Sequence, residues 1–114
     1  MSKLQVTARF TIHPGKLAEF KTVAAKCMQS VRDKDTGTLQ YDWFFNEDET
    51  QCVVRETYRD SAAVFEHLGN LGETIDELTA VADMELEVFG SPTPELVAAS
   101  KGLAPRIYSP FQSI

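Results

Sequence analysis

The sequence predicts one α+β domain of strand, helix, strand, strand, helix, strand order that works as a homodimer. Three observations predict it. Apolar residues switch between a period of two and a period of 3.6 in that order. The second and third strands are so close in sequence that they must form an antiparallel hairpin. The hairpin carries bulky groups on both faces, whereas two helices cover only one face of a sheet.

Leu4, Val6, Ala8, Phe10 and Ile12 alternate with Gln5, Thr7, Arg9 and Thr11, which is the pattern of a half-buried strand. His13-Pro14-Gly15 turns the chain. From Lys16 the spacing becomes helical, with Leu17, Phe20, Val23, Cys27 and Val31 on one face. Asp35-Thr36-Gly37 ends this helix, with Gly37 as a left-handed residue. The second strand covers Thr38 to Asn46 and holds Tyr41, Trp43, Phe44 and Phe45. Asn46 to Glu49 is a polar turn, and Gln51 to Tyr58 forms the third strand. Asp60 or Ser61 caps a second helix whose Val64, Leu68, Leu71, Ile75 and Leu78 face inward. Gly69 and Gly72 break or kink it midway. Asp83 to Phe89 alternates again and completes the sheet.

Right-handed crossovers make this a ferredoxin-like βαββαβ fold, an antiparallel sheet with both helices on one side. Tyr41, Trp43 and Phe45 share one face of the hairpin and Phe44 takes the other, as Val53 does opposite Cys52 and Val54. Two such sheets stacked face to face give a dimer. The core spans residues 1–90, and residues 91–114 add a helix and an arm packed on the dimer. Thr93-Pro94-Glu95 supplies an N-cap, an N1 proline and a first-turn acid, with Gly102 as the stop. Leu103 to Ile114 is too apolar for a disordered tail and reads as an extended arm, on its own subunit or the partner's.

The net charge of −6 argues against nucleic acid and against anionic membrane surfaces. No apolar run approaches the ~20 residues that cross a bilayer, and no signal peptide is recognisable. Cys27 and Cys52 lie in apolar-periodic segments and read as reduced buried thiols, which points to the cytoplasm.

His13-Pro14-Gly15-Lys16, Thr36-Gly37-Thr38-Leu39-Gln40-Tyr41 and Glu56 to Ala63 followed by His67-Leu68 resemble the antibiotic biosynthesis monooxygenase family of dimeric α+β barrels, over roughly residues 3–89. The resemblance implies a small-molecule pocket in each subunit between sheet and helices. Cofactor-free members of that family oxidise electron-rich phenolic or polycyclic molecules. Such a substrate itself loses a proton and passes an electron to dioxygen, so no flavin or metal is needed. The family also includes heme-degrading proteins, which are similar but carry a Trp at the position of His67, a ligand His near Asp76-Glu77 and an Asn at Ala8. Those departures argue against heme degradation.

His67 is the candidate general base, because imidazole changes protonation near neutral pH. A structural His at a helix edge is the competing reading. Tyr41, Trp43 and Tyr58 are candidates to line a cavity for a flat aromatic ligand, against a role in the core or interface. Arg55 is a candidate oxyanion partner, and Glu56, on the opposite side of the third strand, a candidate for pairing across the dimer. For both, a structural salt bridge competes. His13 and the acidic turn Glu47-Asp48-Glu49 read as solvated, without the spacing of a calcium loop. The expected function is a cofactor-independent monooxygenase of a phenolic or quinol-like molecule. The alternatives are a non-catalytic dimeric binding module and an isomerase of a small enolisable compound.

Overall fold

Alternation places β1 (Leu4–Ile12) at the heart of the sheet, with Leu4, Val6, Ala8, Phe10 and Ile12 all buried. The structure is a computed structural model that describes residues 3–114; Met1 and Ser2 lie outside the described residues. β1 pairs antiparallel with β3 (Gln51–Tyr58) on one side and β4 (Ala82–Phe89) on the other. β2 (Thr38–Phe45) pairs antiparallel with β3, with a register shift between Thr38 and Gln40.

The arm departs from the expected form. α4 (Pro94–Ala99) and a 3₁₀ turn (Lys101–Leu103) carry the chain back along the sheet, so that β5 (Arg106–Tyr108) runs parallel to β4. A parallel neighbour needs a crossover, and the short helix provides it. The sheet is therefore five-stranded and mixed, in the order β2-β3-β1-β4-β5, rather than wholly antiparallel. Gly102 lies inside the 3₁₀ turn, and the left-handed residue after it is Ala104.

α1 (Leu17–Lys34) buries Phe20, Val23 and Cys27 against the sheet. The predicted second helix is two, α2 (Ser61–Leu71) and α3 (Thr74–Val81), parted at Gly72 with φ 51°. Gly69 stays within α2. The Asp60 carboxylate accepts from the Ala63 N–H at 2.9 Å and fixes the start of α2. Gly37 is not left-handed. It is glycine because α2 crosses there, where a Cβ would sit 2.5 Å from the Ala63 Cβ.

Phe10 lies parallel to Trp43 with ring centroids 6.1 Å apart, and Phe20 meets Phe10 edge-on at 5.4 Å. A second cluster joins Leu4, Tyr58, Val64 and the tail residue Leu96. The Thr93 N–H donates to the Ser61 hydroxyl at 3.0 Å, which ties the tail to the start of α2.

The uncovered sheet face is less apolar than the hairpin implies. Phe44 and Phe89 are exposed and Val53 half-buried there, among Gln5, Thr7, Arg9, Arg55 and Glu87. The sheet does not close into a barrel within one chain. No helix among the described residues is long and apolar enough to cross a membrane.

Candidate functional site

Between the helix-facing side of the sheet and α2, α3 and α4 lies a cavity of about 90 Å³. Its floor is alternate residues of β1, β2 and β3, the positions whose side chains point toward the helices. Leu96 and Ile107 of the tail close the far end. No Lys or Arg lines it among the described residues. Apart from Ser100 of the tail, whose hydroxyl donates to the Leu96 carbonyl, its polar groups gather at the β2–β3–α2 end: Tyr41, Trp43, Glu56, Tyr58 and His67.

His67 is 4% exposed, on the buried face of α2 with Ala63, Val64 and Leu71. Its Nδ1 lies 2.8 Å from Oδ2 of Asp35, the residue that caps the C-terminus of α1. Asp35 also accepts from the Thr38 hydroxyl at 2.7 Å and the Asn70 amide at 2.8 Å. Burial pushes the Asp35 carboxyl up, but the hydrogen bonds from Asn70, Thr38 and His67 reverse this and hold it below the ordinary carboxylate value. Burial likewise lowers the basicity of His67, against the pull of Asp35, so the ring is neutral at pH 7. Neutral His67 donates from Nδ1 to the carboxylate, which leaves Nε2 as a basic nitrogen with no hydrogen bond among the described residues.

The imidazole sits between two tyrosines, 5.1 Å from the Tyr41 ring and 5.2 Å from the Tyr58 ring, centroid to centroid. Tyr58 is fully buried and its hydroxyl donates to Glu56. Residues two apart on a strand share a face, so Glu56 and Tyr58 both point toward the helices. Glu56 stands opposite Val6 on β1 and Tyr41 on β2. Burial raises its pKa to about 7, although the Tyr58 hydrogen bond works the other way. Burial, then the nearby Glu56, raises both tyrosine hydroxyls well above their ordinary value, so they act as neutral donors. The indole Nε1 of Trp43 is buried with no hydrogen-bond partner among the described residues. A buried N–H left in this way costs about 1–3 kcal/mol unless a ligand or water meets it.

Four of the five sequence candidates therefore share one cavity: His67, Tyr41, Trp43 and Tyr58. Arg55 does not join them. It is exposed on the uncovered face, because strand alternation turns it away from Glu56. Two residues of the cluster escaped sequence reasoning. Asp35 looked like a helix end, and its use as a partner depends on the crossing of α1 and α2. Glu56 looked like a dimer ion pair, yet its place two before Tyr58 on the strand already put it on the helix side. His13 is at the surface and meets Asp83 at 2.9 Å. Cys27 and Cys52 are free and buried, and burial pushes each thiol up to about 11. Among the described residues no three His, Cys, Asp or Glu side chains converge as metal ligands.

The fold has close relatives among solved structures. MupZ from Pseudomonas fluorescens is 24% identical and superimposes over 100% of this chain and 94% of its own, with a TM-score of 0.84. The tail thus has a counterpart there. SnoaB from Streptomyces nogalater, described as a cofactor-independent oxygenase, is 23% identical over 82% of this chain and 96% of its own, with a TM-score of 0.68. A conserved protein from Methanosarcina mazei is 17% identical over 77% of this chain and 91% of its own, with a TM-score of 0.69. No sequence among curated proteins matches. Residues 4–72, which hold β1 through α2 and the polar cluster of Tyr41, Trp43, Glu56, Tyr58 and His67, match the family model for antibiotic biosynthesis monooxygenase. The chain belongs to the antibiotic biosynthesis monooxygenase family.

Proposed function

We propose that the chain is a cofactor-independent monooxygenase that oxidises a phenolic or quinol-like small molecule in this cavity. The observation that carries the reading is the pair of Asp35 and His67, which presents an unbonded imidazole nitrogen inside an apolar enclosure. Nε2 takes the substrate's hydroxyl proton, Asp35 stabilises the imidazolium, and the resulting anion is electron-rich enough to reduce dioxygen directly. Tyr41 and the unpartnered Trp43 N–H donate to its oxygen atoms, while the Tyr58 hydroxyl stays on Glu56. Family membership and the fold shared with SnoaB support the oxygenase chemistry.

Size restricts the substrate. An engineered cavity of about 150 Å³ holds benzene, so a resting space near 90 Å³ takes no more than a single ring unless a wall moves. The tail, through Leu96 and Ile107, is one of the walls that set this size.

The chain acts as a homodimer in this reading, with the uncovered face against its copy. Exposed Phe44 and Phe89 on that face support this. Two reduced, buried thiols support a cytoplasmic setting. A second reading, an isomerase of an enolisable compound, is favoured by the presence of a second proton-carrying group, Glu56, in the same cavity.

The test is oxygen uptake by the purified protein with a panel of hydroquinones and anthrones. Uptake with a single-ring member, lost in His67→Ala, supports the reading. Its absence across the panel, or activity untouched by His67→Ala, refutes it.

A further inference from the structure

We propose that Glu56 is the catalytic acid of this cavity, delivering a proton to the carbonyl oxygen of a neutral ketone while His67 Nε2 removes the proton from the adjacent carbon. The inference rests on the reading of the cavity as a proton-transfer site, but not on dioxygen.

The geometry is that of a pair of opposed roles. Both residues line one cavity, from different elements: Glu56 from β3 and His67 from α2. Each has one hydrogen-bond partner that sets its state. Asp35 takes the Nδ1–H of His67 and leaves Nε2 to accept. The Tyr58 hydroxyl donates to one oxygen of Glu56, which leaves the carboxyl's own O–H as the group it can give. A buried carboxylate is costly without a cation, and the groups that face Glu56 supply none. They are Tyr41 on β2 with Cys27 of α1 beside it, Tyr58 on β3, and His67 across the same cavity; β1 opposes Glu56 with Val6, and the nearby Arg9 and Arg55 lie on the other face of the sheet. Its pKa near 7 agrees with an acid that is loaded at neutral pH and able to let go. With no Lys or Arg on the wall, the cavity also disfavours anionic ligands, and the oxygen it recognises is uncharged.

The step balances within the site. The C–H bond of the ketone breaks and its proton goes to Nε2. The electron pair forms the C=C bond, the C=O π pair moves onto oxygen, and the Glu56 proton completes the enol. The site ends as imidazolium beside Asp35 and carboxylate beside the Tyr58 hydroxyl, and a proton returned from His67 through product or water resets it. Such an enol is the species that an oxygenase would expose to dioxygen and an isomerase would reprotonate at another carbon.

The test is deuterium exchange into cyclohexanone and acetophenone in heavy-water buffer, read by proton NMR, with benzoate as the anionic competitor and dissolved oxygen followed in parallel. Wild-type protein is expected to catalyse exchange, without inhibition by benzoate, at a rate that falls as the pH rises through about 7. Glu56→Gln, which keeps an acceptor for Tyr58 but has no proton to give, is expected to lose about 100-fold and the falling limb with it. Tyr58→Phe removes the one contact that lowers the carboxyl's pKa, so it is expected to move the limb to higher pH. Exchange without oxygen consumption upholds the role of Glu56 independently of the oxygenase reading, which the hydroquinone and anthrone panel decides. Wild-type-like exchange by Glu56→Gln with an unchanged pH profile, or no exchange by the wild type with either ketone, overturns the proposal.

Discussion

Asp35 and His67 are 32 residues apart in the chain, yet Oδ2 of one lies 2.8 Å from Nδ1 of the other, with both side chains almost completely buried. The contact joins the residue that caps one helix to the second turn of another. Asp35 acts on the cavity without lining it: by taking the Nδ1 proton it decides which imidazole nitrogen is left to react.

Asp35→Asn tests that arrangement. An amide keeps the shape but replaces one acceptor oxygen with a donor, so the bonds from Thr38, Asn70 and His67 cannot all be kept. A loss of about 1–3 kcal/mol is expected in denaturant melts. Turnover is expected to fall by about 100-fold or more while ligand affinity changes little, since no ligand contact is removed. An equal fall in affinity and turnover would place Asp35 in binding instead.

Glu56 predicts an unusual pH dependence of stability. In the fold it holds its proton up to about pH 7, against 4.5 for an ordinary carboxyl. Its contribution is therefore complete below about 4.5 and is lost as the pH rises through 7, where the fold carries a buried charge at a cost of about 3 kcal/mol. Glu56→Gln is expected to melt roughly 10 °C above the wild type near pH 9 and to converge with it near pH 5. A gap that is constant across that range would mean the carboxyl does not titrate as described.

Gly37→Ala should be costly despite an ordinary backbone conformation. The added methyl meets the Ala63 Cβ at 2.5 Å, and neither group can rotate away. The helix that carries His67 must shift, at about 1–3 kcal/mol. Because Gly37 follows Asp35 by two residues, the shift also opens the contact with His67. NMR of the imidazole nitrogens should show loss of the fixed tautomer; an unchanged spectrum would mean the strain is absorbed elsewhere.

Leu96→Ala probes the tail. Leu96 is 4% exposed and packs in the cluster of Leu4, Tyr58 and Val64. Truncation is expected to cost about 2–4 kcal/mol and to widen the cavity at its apolar end. Two-ring ligands should then bind better relative to single-ring ones by calorimetry. Equal weakening of both would show that the tail supports the fold without setting ligand size.

Much of this architecture is legible in the residues, for reasons that also mark where legibility ends. The alternation of β1 and the apolar stripes of α1 and α2 declare themselves because one face of each is buried. β5 is three residues long and exposed, so it has no period to read. Tyr41, Trp43, Tyr58 and His67 could be gathered by face alone. The same parity sets Arg55 on the opposite side of the strand from Glu56, and the structure leaves it exposed there. Asp35 could not be found this way, since its partner is set by how two helices cross.

Trp43 is the only tryptophan in the chain, and it forms part of the cavity wall within 6.1 Å of Phe10 and 5.7 Å of Tyr41, centroid to centroid. The protein thus carries its own optical probe at the place of interest. A ligand that meets the free Nε1–H should alter the emission of this single fluorophore, so occupancy can be titrated on unlabelled protein before any turnover is known.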